Sequence, residues 1–162
     1  MRMTNSIFDI LRNPVAVAGF LAWFLAQGLK PLIYKLTGKK WDWTLIISPG
    51  GMPSSHSALM TAVTTAIGLT VGWITPLFAL SMAISGVVVY DAMGVRRQAG
   101  IQAERINKLV EEVFNKTAST EEVIEQLKEI IGHSPAEALG GVAFGFVMSV
   151  IVCQLMTGIP FG

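Results

Sequence analysis

The chain holds two histidines, His56 and His133, and each stands in a short polar run at the edge of a long apolar one. The first run is Pro49-Gly50-Gly51-Met52-Pro53-Ser54-Ser55-His56-Ser57. Gly50 and Gly51 allow close backbone approach, and Ser54 or Ser55 can cap a helix. The opening turn of that helix leaves unpaired amides at the positive end of its dipole. Such a terminus suits an anion, and an imidazole just inside it can supply a proton. The same residues also describe a Ser-capped helix start with a histidine at the membrane interface, and Ser capping is common.

The second run is Gly132-His133-Ser134-Pro135-Ala136-Glu137. Ser134 as N-cap, Pro135 as first helical residue and Glu137 three after the cap make a capping box, which accounts for three residues without any chemistry. His133 lies outside that account. Glu137 can bond one ring nitrogen and orient the imidazole, as acidic partners do for catalytic histidines. Arg96 and Arg97 present planar donor forks suited to phosphate oxygens, and they suit equally well an anchor at lipid headgroups. Asp91, in the last turn of an apolar stretch, needs a partner: one of those arginines, as a structural tether, or a bound ligand. No His or Cys falls at metal-ligand spacing, so no metal is expected.

The elements that must position these residues follow from composition. The chain has 162 residues, 52% hydrophobic and 14% charged, with a net charge of +1; its mean hydropathy is +0.56. A soluble domain carries about 25% charged residues, so this chain belongs in a bilayer. A spanning helix needs about 20 mainly apolar residues. Four stretches qualify: about Pro14 to Ile33, Ser55 to Trp73, Pro76 to Met93, and Ala136 to Met156. The second and third form a tight antiparallel hairpin. In the fourth, Gly140, Gly141, Gly145 and Ser149 offer a small-residue face for close packing. The run from Val15 to Ile33 is too long for a signal-peptide core, and no small-residue cleavage site follows it. Met1 to Arg12 reads as a short interfacial helix. The lone Cys153 lies in an apolar run and reads as a buried small hydrophobe, with no intrachain disulfide to form.

Between the third and fourth spans, Gly94 to His133 holds most of the charge. Ile101, Ile106, Leu109, Val110, Val113 and Phe114 recur at helical spacing, as do Val123, Ile124, Leu127, Ile130 and Ile131. Ser119 to Glu122 has the form of a second capping box. The expected architecture is an all-α integral membrane bundle of four transmembrane helices in one domain, 1–162, with an amphipathic helical hairpin inserted at about 98–132. One side of it carries Lys35, Lys39, Lys40, Arg96, Arg97, Arg105, Lys108, Lys116 and Lys128, against Arg2 and Arg12 on the other. Nine cations against two put the hairpin in the cytoplasm and both termini outside. Seven glutamates in the hairpin balance its basic residues, which argues against nucleic acid as a partner. This topology places Ser54, Ser55, His56, Arg96, Arg97, His133 and Glu137 on one face, though membrane ends gather polar residues in any case.

These residues resemble the type-2 phosphatidic acid phosphatases, relatives of the vanadium haloperoxidases, and in layout a small divergent bacterial and plastid branch of them. Pro53-Ser54-Ser55-His56 is similar to that family's Pro-Ser-Gly-His motif. His133 with Glu137 resembles the His-x-x-x-Asp end of its third motif, whose arginine would here come from Arg96 or Arg97, more than thirty residues upstream. Lys30-Pro31 resembles the cation and proline that close the first motif, with Trp23 in place of the leading lysine.

The resemblance implies a phosphatase of the bacterial plasma membrane that hydrolyses a phospholipid phosphomonoester, without metal or cofactor. Phosphatidylglycerophosphate and phosphatidate are the expected types of substrate, acted on at the cytoplasmic side. His133 would be the nucleophile and form a phosphohistidine, with Glu137 holding its tautomer and His56 protonating the leaving alkoxide. Ser54, Ser55, Arg96, Arg97 and Lys30 would spread the phosphoryl charge, with Asp91 beside them. Two rivals stand beside it. One is a non-catalytic member that binds phosphate or anionic lipid; the other is an assembly subunit of a membrane complex. A homo-oligomer is compatible with each.

Overall fold

A computed structural model describes residues 7–48, 50–115 and 133–158, and the statements below concern those residues. Among them are five α-helices: α1 (Pro14–Leu36), α2 (Ser55–Thr70), α3 (Pro76–Met93), α4 (Val95–Asn115) and α5 (Pro135–Thr157). Short 3-10 turns cover Ile7–Arg12 and Trp43–Ile46, and there is no strand among the described residues.

The helix starts follow from capping chemistry. Asn13 Oδ1 accepts from the amides of Val15 and Ala16 at 2.9 and 3.3 Å, with Pro14 at the first helical position. Ser54 caps α2 through the Ser57 amide at 3.3 Å. Thr75 caps α3 through the Phe78 amide at 3.3 Å, again followed by a proline. Ser134 and Glu137 complete the expected capping box at the start of α5. Each cap satisfies amides that an opening turn leaves unpaired, which matters most where no water reaches. At the far end of α5, Gly158 takes a left-handed conformation (φ 65°) that closes the helix.

The core is built from small side chains. Ala18, Ala22 and Ala26 of α1 and Ala58, Ala62 and Ala66 of α2 are all fully buried, each set repeating every fourth residue. Such rows form a flat stripe on one side of a helix and let two backbones approach. Large apolar residues point outward instead: Phe20, Phe24, Leu80, Val87, Phe146 and Leu155 are all more than half exposed. A water-soluble protein would bury these and expose the polar ones, so this pattern is that of a bundle dissolved in lipid. Helices α1, α2 and α5 pack on one another around the alanines, and α3 lies on the outside of α2. Cys153 packs among Ala18, Ala66 and Val152, as an ordinary core residue.

Hydroxyl groups join α2 to α3 across this apolar contact. Thr64 Oγ1 and Ser85 Oγ lie 2.7 Å apart, and both oxygens also reach backbone carbonyls on the facing helix, those of Ser81 and Met60. Interhelical bonds of this kind contribute about 0.6 kcal/mol each on average. At the turn between the two helices the Trp73 ring lies against Gly68, in space that a side chain at position 68 would fill.

Three helical runs among the described residues are long and apolar enough to cross a membrane: Pro14–Leu36, Pro76–Val110 and Pro135–Thr157. The second joins α3 to most of α4 across Gly94. The remaining expected span, α2, has 16 residues and ends at Thr70 rather than Trp73. At 1.5 Å per residue it covers roughly 24 Å, short of the ~30 Å hydrocarbon layer. Gly72, at φ 118°, begins the turn that stops it. The first half of the expected amphipathic hairpin is α4, which starts directly after Gly94 and so carries Arg96 and Arg97 in its first turn. It packs on α3. Gly100, Ala103 and Asn107 are buried along one side, with Glu104 and Lys108 paired on the surface at 2.5 Å. The second half of that hairpin, with the capping box at Ser119 to Glu122, lies outside the described residues, as do Met1 to Ser6 of the expected N-terminal helix.

Candidate functional site

Two backbone hydrogen bonds gather the polar runs at one end of the bundle. The Ser54 amide donates to the Glu137 carbonyl, and the His133 amide to the Ala92 carbonyl, both at 3.0 Å. The first ties the start of α2 to the first turn of α5. The second ties the residue before α5 to the last turn of α3, next to Asp91. Packing glycines allow this closeness. A Cβ placed on Gly141 would strike the Ser54 carbonyl, and one on Gly145 the Ala58 carbonyl, far inside any real contact distance. Gly141 and Gly145 therefore fix how near the two polar runs come.

The His133 ring is enclosed, with its side chain 3% exposed. Its Nδ1 lies 3.3 Å from Glu137 Oε2, which also accepts from the Ser134 amide at 3.0 Å. A carboxylate oxygen only accepts, so this contact selects the tautomer with the proton on Nδ1. The opposite nitrogen, Nε2, is buried and has no hydrogen-bond partner among the described residues. It is left as an unshared lone pair.

Beside this pair is a cavity of about 1020 Å³, lined by Lys30, Lys39, Asp42, Gly50, Gly51 and Glu137 among others. Lys30 is 1% exposed although it belongs to an apolar helix. Its ammonium donates to the Ser48 carbonyl at 2.8 Å, and its stem runs along Gly51, which has φ 92°. A buried ammonium is costly unless partnered, so the carbonyl and the nearby Glu137 carboxylate are what permit it there. At the rim, Asp42 accepts from the Thr44 hydroxyl and amide at 2.7 and 2.9 Å. These bonds, the hydroxyl first, hold its carboxyl below the usual aspartate range. Among the described residues no group of His, Cys, Asp and Glu is arranged to hold a metal ion.

The divergent PAP2 family profile matches residues 11–148. The chain belongs to that family. It is also 38% identical over 153 residues to the "uncharacterized membrane protein YuiD" of Bacillus subtilis (strain 168), covering 89% of this chain and 96% of that protein. No solved structure matches. The resemblance read from the two histidine runs is thus established at family level, and the chain is a membrane protein.

For this divergent PAP2 protein the placement of the expected site residues is uneven. Lys30 and Glu137 line the cavity, and Glu137 is shared with His133. Ser54 and Ser55 are buried at the α2–α5 contact, where Ser54 Oγ accepts from the Ser57 amide and hydroxyl at 3.3 and 3.1 Å, a capping role. His56 is exposed in the first turn of α2. Asp91 is half-buried at the end of α3, and Arg97 is exposed in the first turn of α4. Arg96 shares that turn. Sequence reasoning missed the rim residues Thr37, Lys39, Asp42 and Thr44. The Asp-x-Thr spacing at position 42, an Asx-type turn start, was a readable signal of local structure but not of a cavity.

Proposed function

We propose that the protein is a membrane phosphatase acting on a lipid phosphomonoester through a histidine nucleophile. One observation carries this reading: His133 Nδ1 is bound to a carboxylate while Nε2 is buried and unpartnered. A nitrogen so held has its lone pair directed and undiluted by competing bonds, which is what attack at phosphorus requires. In the first step the His133 Nε2–P bond forms and the P–O bond to the alcohol breaks, with the His56 proton passing to the leaving oxygen. In the second, water attacks phosphorus, His56 takes its proton, and the P–N bond breaks to release phosphate. Lys30, Arg96, Arg97, Ser54, Ser55 and the α2 amides are assigned to the charge on the transferring group, with Asp91 positioning an arginine. Glu137 holds the tautomer of His133.

In this reading four helices cross the bilayer, α2 being completed by its flanking turns. The charge bias puts the site on the cytoplasmic side and both termini outside. Tags on either terminus should be accessible to a membrane-impermeant label on intact cells, and protection of both tags would reverse the orientation.

The direct test is phosphate release by the purified full chain in detergent from phosphatidylglycerophosphate, phosphatidate and a polyprenyl diphosphate, with a metal chelator present. Release from a phosphomonoester, undiminished by the chelator, is the expected result. No release from any lipid, or an absolute need for metal, overturns it. A second reading, binding of phosphate or anionic lipid without turnover, is favoured by the enclosure of the His133 ring. It would give saturable phosphate or vanadate binding with no release.

A further inference from the structure

The cavity beside His133 has a chemical bias of its own. Its charged side chains, Lys30 and Lys39 against Asp42 and Glu137, cancel. The rim hydroxyls have already spent their protons: Thr44 Oγ1 donates to Asp42 Oδ1, and Thr37 Oγ1 to the Tyr34 carbonyl, each at 2.7 Å. What Asp42, Thr44 and Thr37 offer a guest is therefore lone pairs. A second phosphate would bring oxygen lone pairs against these acceptors and two carboxylates. An ammonium group would meet Lys30 and Lys39. A neutral hydroxyl suits both constraints, since it supplies a proton and adds no charge.

We infer that this cavity receives the alcohol side of the substrate, with Asp42 and Thr44 accepting a hydrogen bond from a free hydroxyl on it, so that the favoured substrate carries its phosphomonoester on a glycerol-like group. This rests on the phosphatase reading, and the two are linked through Glu137, which belongs both to the cavity wall and to the His133 contact. Asp42 and Thr44 are specificity residues in this scheme: they touch the alcohol and not the phosphorus.

The test compares two lipids that differ by one atom: one with its terminal phosphate on a glycerol headgroup, the other on propane-1,3-diol, which lacks the central hydroxyl. The wild-type chain in detergent should show kcat/KM roughly 10- to 100-fold higher for the glycerol lipid, as for a hydrogen bond to a charged acceptor. The difference should lie mainly in KM. Thr44→Val and Asp42→Asn should each pull that ratio toward one, while Thr44→Ser, which keeps the oxygen, should preserve it. Equal kcat/KM for the two lipids in the wild type, or a ratio that Thr44→Val and Asp42→Asn leave intact, overturns the inference while the phosphatase reading stands. Release from neither lipid overturns both. Water-soluble glycerol phosphate, with its deoxy analogue, distinguishes the source. A preserved ratio on the soluble pair supports the hydroxyl reading with a free ester as substrate; turnover confined to the lipid pair supports it with a headgroup.

Discussion

His133→Ala should lower phosphate release by at least about 10³-fold, the scale on which loss of a covalent nucleophile is felt. The fold should survive, because the bond from residue 133 to the Ala92 carbonyl is made by the backbone amide, and the capping box belongs to Ser134 and Glu137. The truncation does leave a void where a nearly enclosed ring stood, so thermal unfolding in detergent should be read alongside the rate. The intermediate separates a nucleophile from a residue of purely structural value. A phosphorylated chain trapped in alkaline quench, where a P–N bond persists, should appear with the wild type and be absent from His133→Ala. Glu137→Gln should cost less, since the amide oxygen can still accept from the Ser134 amide or the imidazole but no longer carries charge for both. A His133→Ala chain that is folded and still turns over would remove the nucleophile.

Gly145→Ala should destabilise the bundle by about 1–3 kcal/mol, the cost of forcing a group into a filled contact, less up to about 1 kcal/mol gained from alanine's helix propensity. The obstacle is the Ala58 carbonyl, part of a helix backbone that has no rotamer through which to escape. Gly86→Ala is the matched control: it lies in α3 with nothing within 4 Å of the added carbon, so the same change should be neutral or stabilising there. Apparent Tm in detergent should separate the two variants by about 2–4 °C for each kcal/mol. Activity should fall with Gly145→Ala as well, since the α2–α5 spacing sets the bond from the Ser54 amide to the Glu137 carbonyl, and with it the place of His133. Equal Tm values for the two variants would mean that α2 and α5 do not pack as closely as described.

Much of the fold was legible because it rests on local chemistry. Asn13, Thr75 and Ser134 each precede a proline and a long apolar run, and all three became helix caps. The capping box at Glu137 and the packing role of Gly141 and Gly145 were readable in the same way. Mean hydropathy over a window could not show that α2 is too short to span alone, because Gly72 and Trp73 count as apolar whether they continue a helix or turn out of it. The alanine rows at 18, 22 and 26 and at 58, 62 and 66 are visible in the sequence, yet hydropathy reads them as weak apolar positions rather than as the contact itself.

Residue types and their spacing were enough to declare a helical membrane protein of the divergent PAP2 kind, its helix starts, and a carboxylate four residues after a histidine, which one helical turn brings together. Only the tertiary structure decided that Lys30 is buried beside Glu137, that Asp42 and Thr44 share its cavity, and that His133 Nε2 is closed off from the described side chains. The reason is range. A cap or an i,i+4 pair is written within one turn, whereas burial and cavity shape depend on which faces of α1, α2 and α5 meet, and that is settled by small residues distant in sequence touching in space.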